Sequence, residues 1–328
     1  MDHAAAERVN ALLVVGELCV DLIVELDGEL RFGQHEQIVP ATTLTMGSSS
    51  AITACGAARL GIPTSLVSVR GDDPFGVFLA DELDRRRVDT SLIRIDPTRP
   101  TGASTHLTRP DGDRAILTSM GSIGTVTTAD VPDTALASSA HLHIGSYFLQ
   151  HDLQTGAAEL FRRARAKGLT TSVDGNFDPA QEWDGGIADL LPHTDILFGN
   201  EQELCGISQA GDLGGAVEWA LDRMPPGGVV VAKLGADGAS ALSRVGTRTE
   251  TLHAAVPTVE GRLVDTVGAG DTLAAGFLAA RLRGASTGEA LAFGVACGTA
   301  STRGPGGVGA QPDESTGRAL AASVVVTS

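Results

Sequence analysis

Lysine is almost missing from this chain. Only Lys167 and Lys233 occur among its 328 residues, so arginine carries nearly all of the positive charge. Lys and Arg together number 24 against 40 Asp and Glu, a net charge of −16. That balance argues against a nucleic-acid or anionic-membrane partner, since both need a basic face. Aromatic residues are scarce at 4%, which leaves few surfaces for stacking bases. The four cysteines, Cys19, Cys55, Cys205 and Cys297, are far apart and form no C-x-x-C pair. They read as free thiols in a reducing cytoplasm rather than as disulfides or metal ligands. The opening MDHAAAERVN lacks the basic-then-apolar pattern of a signal peptide. No apolar run reaches the about eighteen residues of a membrane span. Neither a G-x-x-x-x-G-K-[ST] loop nor a strand–G-x-G-x-x-G–helix unit is present. Any nucleotide site must therefore be built from something else.

What the chain does have is alternation of strand and helix. Its length suits one large α/β domain or two small ones. ALLVVG at 11–16 and PTSLVSVR at 63–70 read as buried strands. VFLADELDRRRV and ELFRRARAKG read as amphipathic helices, the second ended by Gly168. DILFGNEQEL, Asp195 to Leu204, reads as a strand passing into a helix, and GGVVVAKLGADGAS as strand, loop and strand. This order predicts a mostly parallel sheet with helices on both faces. Ligands of such sheets sit beyond the carboxyl ends of the strands, where Asp21, Asn176, Asn200 and Lys233 fall. HLHIGSYFL, His141 to Leu149, reads as one strand with His141 and His143 on the same face. No third ligand lies near, so the pair reads as core rather than as a metal site. Arg99 to Leu117 reads as two strands around a turn at Asp111–Gly112, with Ser104, His106 and Thr108 on one face.

The most informative stretch is Asp265 to Gly284, DTVGAGDTLAAGFLAARLRG. Its second half is a helix with Leu273, Phe277 and Leu278 on an apolar face. Gly268, Ala269 and Gly270 leave the N–H groups at the helix start bare, and a helix start attracts anions. Asp271 stands beside that cradle as a carboxylate able to deprotonate a hydroxyl. From composition alone, Asp271 is equally well an ordinary helix cap. Asn200 and Glu203 likewise fit a helix cap with Glu at its third position.

DTVGAGD followed by a small-residue helix resembles the C-terminal signature of the PfkB, or ribokinase-like, carbohydrate kinases. The resemblance covers roughly residues 11–312. It implies a three-layer α/β sandwich with a mostly parallel central sheet, plus a small β-sheet lid from segments 20–44 and 100–118, all in one domain. It implies ATP-dependent phosphorylation of a sugar or sugar-like alcohol, with Asp271 as general base and the Gly268–Ala269–Gly270 amides as anion hole. Substrate contacts fall to Asp21, Gly47, Ser48, His106 and Asn176. Lys233, Gly235, Gly238, Gly270 and Asn200 fall beside ATP. Glu203 organises Mg²⁺, largely through water, for which one carboxylate is sufficient. Asp265 and the Val267 carbonyl imply a monovalent cation, K⁺.

The chain departs from the family pattern in three places. MGSSSAITACGAARLG, from Met46, resembles the N-terminal signature, but Ser48 replaces its second glycine and Ile52 its Asn. Ser48, Ser49 and Ser50 either supply replacement hydroxyls or simply begin the helix. Asp178 stands where an Arg is common in the D-x-N segment around Asp174 and Asn176. The turn at 47–52 has no Lys or Arg, which favours an unphosphorylated substrate. A nucleoside kinase of the same fold and a non-catalytic sugar sensor are the alternatives. A homodimer through the lid and a cytoplasmic location complete the expectation.

Overall fold

A segment such as LLVV, apolar at every position, suits a strand covered on both faces. It forms β1 (Leu12–Val15), whose Leu12 and Val14 enter one buried cluster while Leu13 and Val15 enter another. In the computed structural model, which describes residues 10–111 and 113–328, this strand lies inside a 10-stranded sheet. The strands that follow in the chain are β2 (Cys19–Glu25), β3 (Ala41–Met46), β4 (Thr64–Gly71), β5 (Ile93–Asp96), β6 (Gly102–Thr108) and β7 (Arg114–Ser119). After them come β8 (His141–Ile144), β9 (Thr170–Asp174), β10 (Ile196–Asn200), β11 (Val229–Lys233), β12 (Ala239–Val245), β13 (Arg248–Ala254) and β14 (Val326–Thr327). The large sheet runs β14-β13-β12-β11-β10-β9-β8-β1-β4-β5. Neighbours from β5 to β11 are parallel, and β12, β13 and β14 add an antiparallel edge. Helices Ser49–Arg59, Ala269–Leu282 and Thr287–Ser301 pack on one face, and His151–Ala166 and Leu213–Leu221 on the other.

The expected three-layer α/β architecture is therefore present, and so is the lid. The lid is a separate 4-stranded sheet in the order β3-β2-β6-β7. Paired residues of a sheet share a face. The row Thr45–Asp21–Ser104–Thr118 and the row Thr43–Ile23–His106–Ile116 thus lie on one side of the lid. Asp21, Ser104 and His106 are buried, so that side faces the body of the protein. Of the Asp111–Gly112 turn, Gly112 lies outside the described residues.

Strand order reverses between β1 and β8, because the chain fills β4 and β5 on one side and β8 onward on the other. Such a switch point opens a crevice at the carboxyl ends. Gly16 follows β1 and Gly145 follows β8. A Cβ on either would lie 2.0 or 2.6 Å from Ser50 Oγ. Two glycines thus let the helix Ser49–Arg59 begin directly over the crevice.

One expectation needs correction, and one segment that sequence left unread takes shape. The strand from His141 stops at Ile144. Ser146 takes a left-handed conformation (φ 47°), and Tyr147–Leu149 is a 3₁₀ turn. The segment from Asp313, uninformative in sequence, is a helix, Glu314–Ala321, capped by the Asp313 side chain. Among the described residues no helix is long and apolar enough to cross a membrane.

Candidate active site

Gly268 caps the helix Ala269–Leu282 in the left-handed conformation (φ 70°). A Cβ there would lie 2.7 Å from the Gly307 Cα, so only glycine fits. Asp271 is therefore the third residue of the helix and not its cap. Its carboxylate makes no capping bond to the helix start. Instead it is buried, with Ser49 near enough to favour its ionised form. Burial, with Asp174 and Glu17 adding to it, outweighs Lys233 and lifts its pKa from the ordinary 3.8 to about 7. The cradle beside it is narrower than expected. The Ala269 N–H makes a 3.3 Å bond to the Thr266 carbonyl, while the Gly268 and Gly270 N–H groups meet no carbonyl among the described residues.

Lys233 ends β11 and lies against Gly270, where a Cβ would stand 3.2 Å from Lys233 Cδ. Its ammonium donates to both oxygens of Asp174 at 3.0 and 2.8 Å. Burial alone would push this ammonium down, but Asp174, Glu203 and Asp271 hold it well above the usual lysine range. Glu203 is buried, and that raises its carboxyl despite Lys233. One lysine thus stands among three carboxylates.

Asn200 and Glu203 form the reciprocal helix cap that the sequence allowed. The Glu203 N–H donates to Asn200 Oδ1 at 2.9 Å and the Asn200 N–H to Glu203 Oε2 at 2.8 Å. Glu203 Oε1 is left over. No three His, Cys, Asp or Glu groups of the described residues gather closely enough to hold a metal. That fits Mg²⁺, which is held by one or two carboxylates, water and substrate phosphates rather than by a protein cage. Gly238 (φ 91°) must be glycine, because a Cβ would lie 2.0 Å from the Ala254 carbonyl oxygen. Gly235 (φ 61°) faces open space.

On the lid side, Asp21 lies on Gly47, whose Cβ would stand 2.1 Å from Asp21 Oδ1. His106 Nε2 is 3.4 Å from the same oxygen, and His106 Nδ1 is buried with no partner among the described residues. The three serines separate cleanly. Ser48 donates to the Glu17 carbonyl and accepts from the Ala51 N–H, so its hydroxyl starts the helix and is not free for a substrate. Ser50 donates to the Glu17 carboxylate at 2.6 Å. Ser49 alone reaches Asp271, and it also accepts from the Asn176 amide. Asn176 (φ 54°) donates from the same nitrogen to Ser146 Oγ at 2.8 Å. Asp178, in place of the family's Arg, accepts from the N–H groups of Ala180, Glu182 and Trp183. It builds the turn that seats Trp183 edge-on against Phe148 and Phe177.

Two residues near this site could not be singled out in sequence. Ser49 is the middle of three serines, and only the fold chooses among them. Glu17 is buried at the end of β1 and accepts from Ser50 and Gln150, yet in sequence it resembles a strand-end turn residue. His141 and His143 are core residues bound to Thr170 and Ser172 hydroxyls, and burial lowers them to about 3 and 4. Asp265 accepts from the Val267 and Gly306 N–H groups, both at 3.0 Å, and Arg114 of the lid stands 3.7 Å from it.

A family model described as pfkB family carbohydrate kinase matches residues 9–314. The ATP-dependent ribose-1-phosphate kinase of Halopiger xanaduensis is 30% identical over 282 residues, covering 86% of each chain. Among solved structures, Arabidopsis thaliana ribokinase, complexed with ribose and ATP, aligns with TM-score 0.80 and 23% identity over 95% of this chain and 99% of its own. An Escherichia coli structure in complex with ATP and Mg²⁺ aligns with TM-score 0.81 and 22% identity over 95% and 98%. The buried Asp271 carboxylate, the glycine-started helix and a match that spans nearly the whole chain converge: this protein belongs to the PfkB family of carbohydrate kinases.

Proposed function

We propose that this chain transfers the γ-phosphoryl group of ATP to a hydroxyl of an unphosphorylated sugar or sugar-like alcohol. The observation that carries this reading is the Asp271 carboxylate: buried, unused by its own helix, beside Ser49 and next to an open anion cradle. Asp271 takes the proton as the acceptor oxygen attacks phosphorus; the bond to the β-phosphate oxygen breaks and ADP leaves. Ser49, itself held by Asn176, fixes the carboxylate's direction. The Gly270 N–H and the helix dipole, with Gly268 and Ala269 shaping the turn, stabilise charge on the phosphoryl oxygens. Lys233 adds positive charge on the same side. Glu203, through its free oxygen and water, is the protein group that would hold Mg²⁺, which when bound neutralises phosphate charge. Asn200 shapes the same helix start, and the turn at Gly235 and Gly238 lies beside the nucleotide. Asp265 and the Val267 carbonyl stand where the family resemblance puts a monovalent cation, and in this chain Arg114 already faces that carboxylate.

The lid supplies recognition. Asp21 accepts two hydroxyls of a polyol, and the open His106 Nδ1 takes a third. Gly47 gives Asp21 its room, and Ser48 holds the helix behind it. Among the lid strands the only Lys or Arg is Arg114, and it already faces Asp265. The lid strands therefore offer no spare cation to a phosphate, which supports an unphosphorylated acceptor. We read the whole chain as one catalytic domain working in the cytoplasm, in keeping with four free cysteines. The outer lid face carries Leu22, Leu44, Val24, Leu107 and Leu117 in two neighbouring rows, and a second copy of the chain is the partner it fits.

The test is ADP release with Mg²⁺ across free sugars, polyols, sugar phosphates, sugar acids and nucleosides. The expected result is turnover of a free sugar or polyol that disappears in Asp271→Asn. Turnover confined to nucleosides would replace the proposed substrate class. Calorimetric sugar binding with no turnover would replace the enzyme by a sensor.

A further inference from the structure

Arg114 opens β7, the edge strand of the lid. It pairs with Thr108, which pairs with Glu25, so its row lies next to the one containing His106 on the side facing the body. The side chain leaves the lid and brings Nη1 to 3.7 Å from Asp265 Oδ1. Asp265 belongs to the large body, six positions before Asp271. Both of its oxygens already accept backbone N–H groups, Oδ1 from Val267 and Oδ2 from Gly306. The loop through Gly306 thus turns an N–H toward this carboxylate. A carboxylate has about four acceptor directions. Two N–H donors, with a guanidinium at ion-pair distance, surround an anion that is already neutralised. An alkali cation, which seeks several oxygens at once, would have to displace the arginine.

We propose that Arg114 supplies at Asp265 the positive charge that the family resemblance assigns to a monovalent cation. The lid edge is thereby tied to the loop that leads into Gly268–Asp271. Arg114 acts through Asp265 and is a positioning residue. When the lid is down, the guanidinium fixes the carboxylate, the carboxylate fixes the Val267 N–H, and the helix start is ordered for phosphate. The pair is one-third exposed on the arginine side, so as a plain salt bridge it contributes little to stability. Its effect is a coupling between lid and loop.

The test compares wild type, Arg114→Gln and Arg114→Lys in KCl and in choline chloride at equal ionic strength. It reads melting temperature and, by calorimetry, affinity for the Mg²⁺ complex of a non-hydrolysable ATP analogue. The inference rests on the kinase reading only in its nucleotide arm. Wild type is expected to melt and to bind equally in both salts. Arg114→Gln is expected to bind the analogue about tenfold more weakly in choline than in KCl, in the range of ordinary coupling factors, and to melt higher in KCl. Arg114→Lys is expected to return toward wild type. A wild type that responds to K⁺ as strongly as Arg114→Gln overturns the inference, and so does an Arg114→Gln indifferent to K⁺. If no variant binds the analogue, the kinase reading fails, while the melting comparison still decides the role of Arg114.

Discussion

On the proposed reading, Asp271 shows how one residue's burial serves chemistry at the expense of stability. Its pKa of about 7 lies far above the ordinary 3.8. Between those values the folded chain holds a proton there that the unfolded chain has released. Stability from this group therefore falls as pH rises across that window. Two results follow for Asp271→Asn. Its kcat drops by at least about 10²-fold, the smaller end of what a general base contributes. Its melting temperature at pH above 7 exceeds that of wild type by a few degrees, and the difference shrinks as pH falls toward 4. Activity of wild type should rise through pH about 7 as the carboxylate ionises. A pH–rate profile and melting curves across the same range check both. A wild-type profile flat from pH 5 to 9 would count against this base.

Lys233 is the counterweight, since it lowers the Asp271 pKa while pairing with Asp174. Lys233→Met leaves three buried carboxylates without their cation, a change of the kind that costs about 3–5 kcal/mol. The acid limb of the rate profile should move to higher pH, and the melting temperature should fall. An unmoved limb would detach Lys233 from the base. At this scale the sequence was uneven. Asp271, Asn200 and Glu203 could be named from a motif. Ser49 could not be told from Ser48 and Ser50, because the choice depends on which hydroxyl the crevice receives. Asp178 in place of an arginine could not be interpreted until its three N–H donors were seen.

Among the elements, the turn between β11 and β12 separates two uses of glycine. Gly235→Ala has open space and meets only the strain of a left-handed alanine, about 1 kcal/mol. Gly238→Ala drives a methyl into the Ala254 carbonyl 2.0 Å away and must shift β13. Melting curves should show a small loss for the first and a several-fold larger one for the second. Equal losses would mean the turn rearranges freely. Most elements were legible because their periodicity was strong: β1 is apolar throughout and the helix His151–Ala166 has a clear buried stripe. The strand from His141 was overextended for a tertiary reason. Ser146 takes φ 47° where its hydroxyl receives the Asn176 amide, and that partner lies thirty residues away in the chain. The final helix went unread because its eight residues hold one large apolar side chain, Leu320, too few to mark a buried face.

For the molecule as a whole, the fold class was readable since strand–helix alternation leaves few architectures. Assembly was not readable, because it depends on which lid face remains uncovered. Leu44 and Leu117 are 41% and 59% exposed on the outer face of the lid. Light scattering should give a dimer mass for wild type and a monomer mass for Leu117→Asp. A monomeric wild type would remove the second copy as the partner.

The separation of two sheets carries a consequence for how such a protein changes over generations. Asp271, Lys233, Asp174 and Glu203 are anchored to the ten-stranded sheet and the helices upon it, whereas Asp21 and His106 sit on a ribbon of four strands. On the proposed reading, a substitution that retunes recognition need not disturb the groups that move the proton and the phosphoryl. Random libraries confined to β2, β3, β6 and β7 should therefore yield altered acceptor preference more often than dead protein. Libraries of equal size on the body's strand ends should yield mostly dead protein. Diversity of diet, with constancy of chemistry, is what this architecture makes easy to inherit.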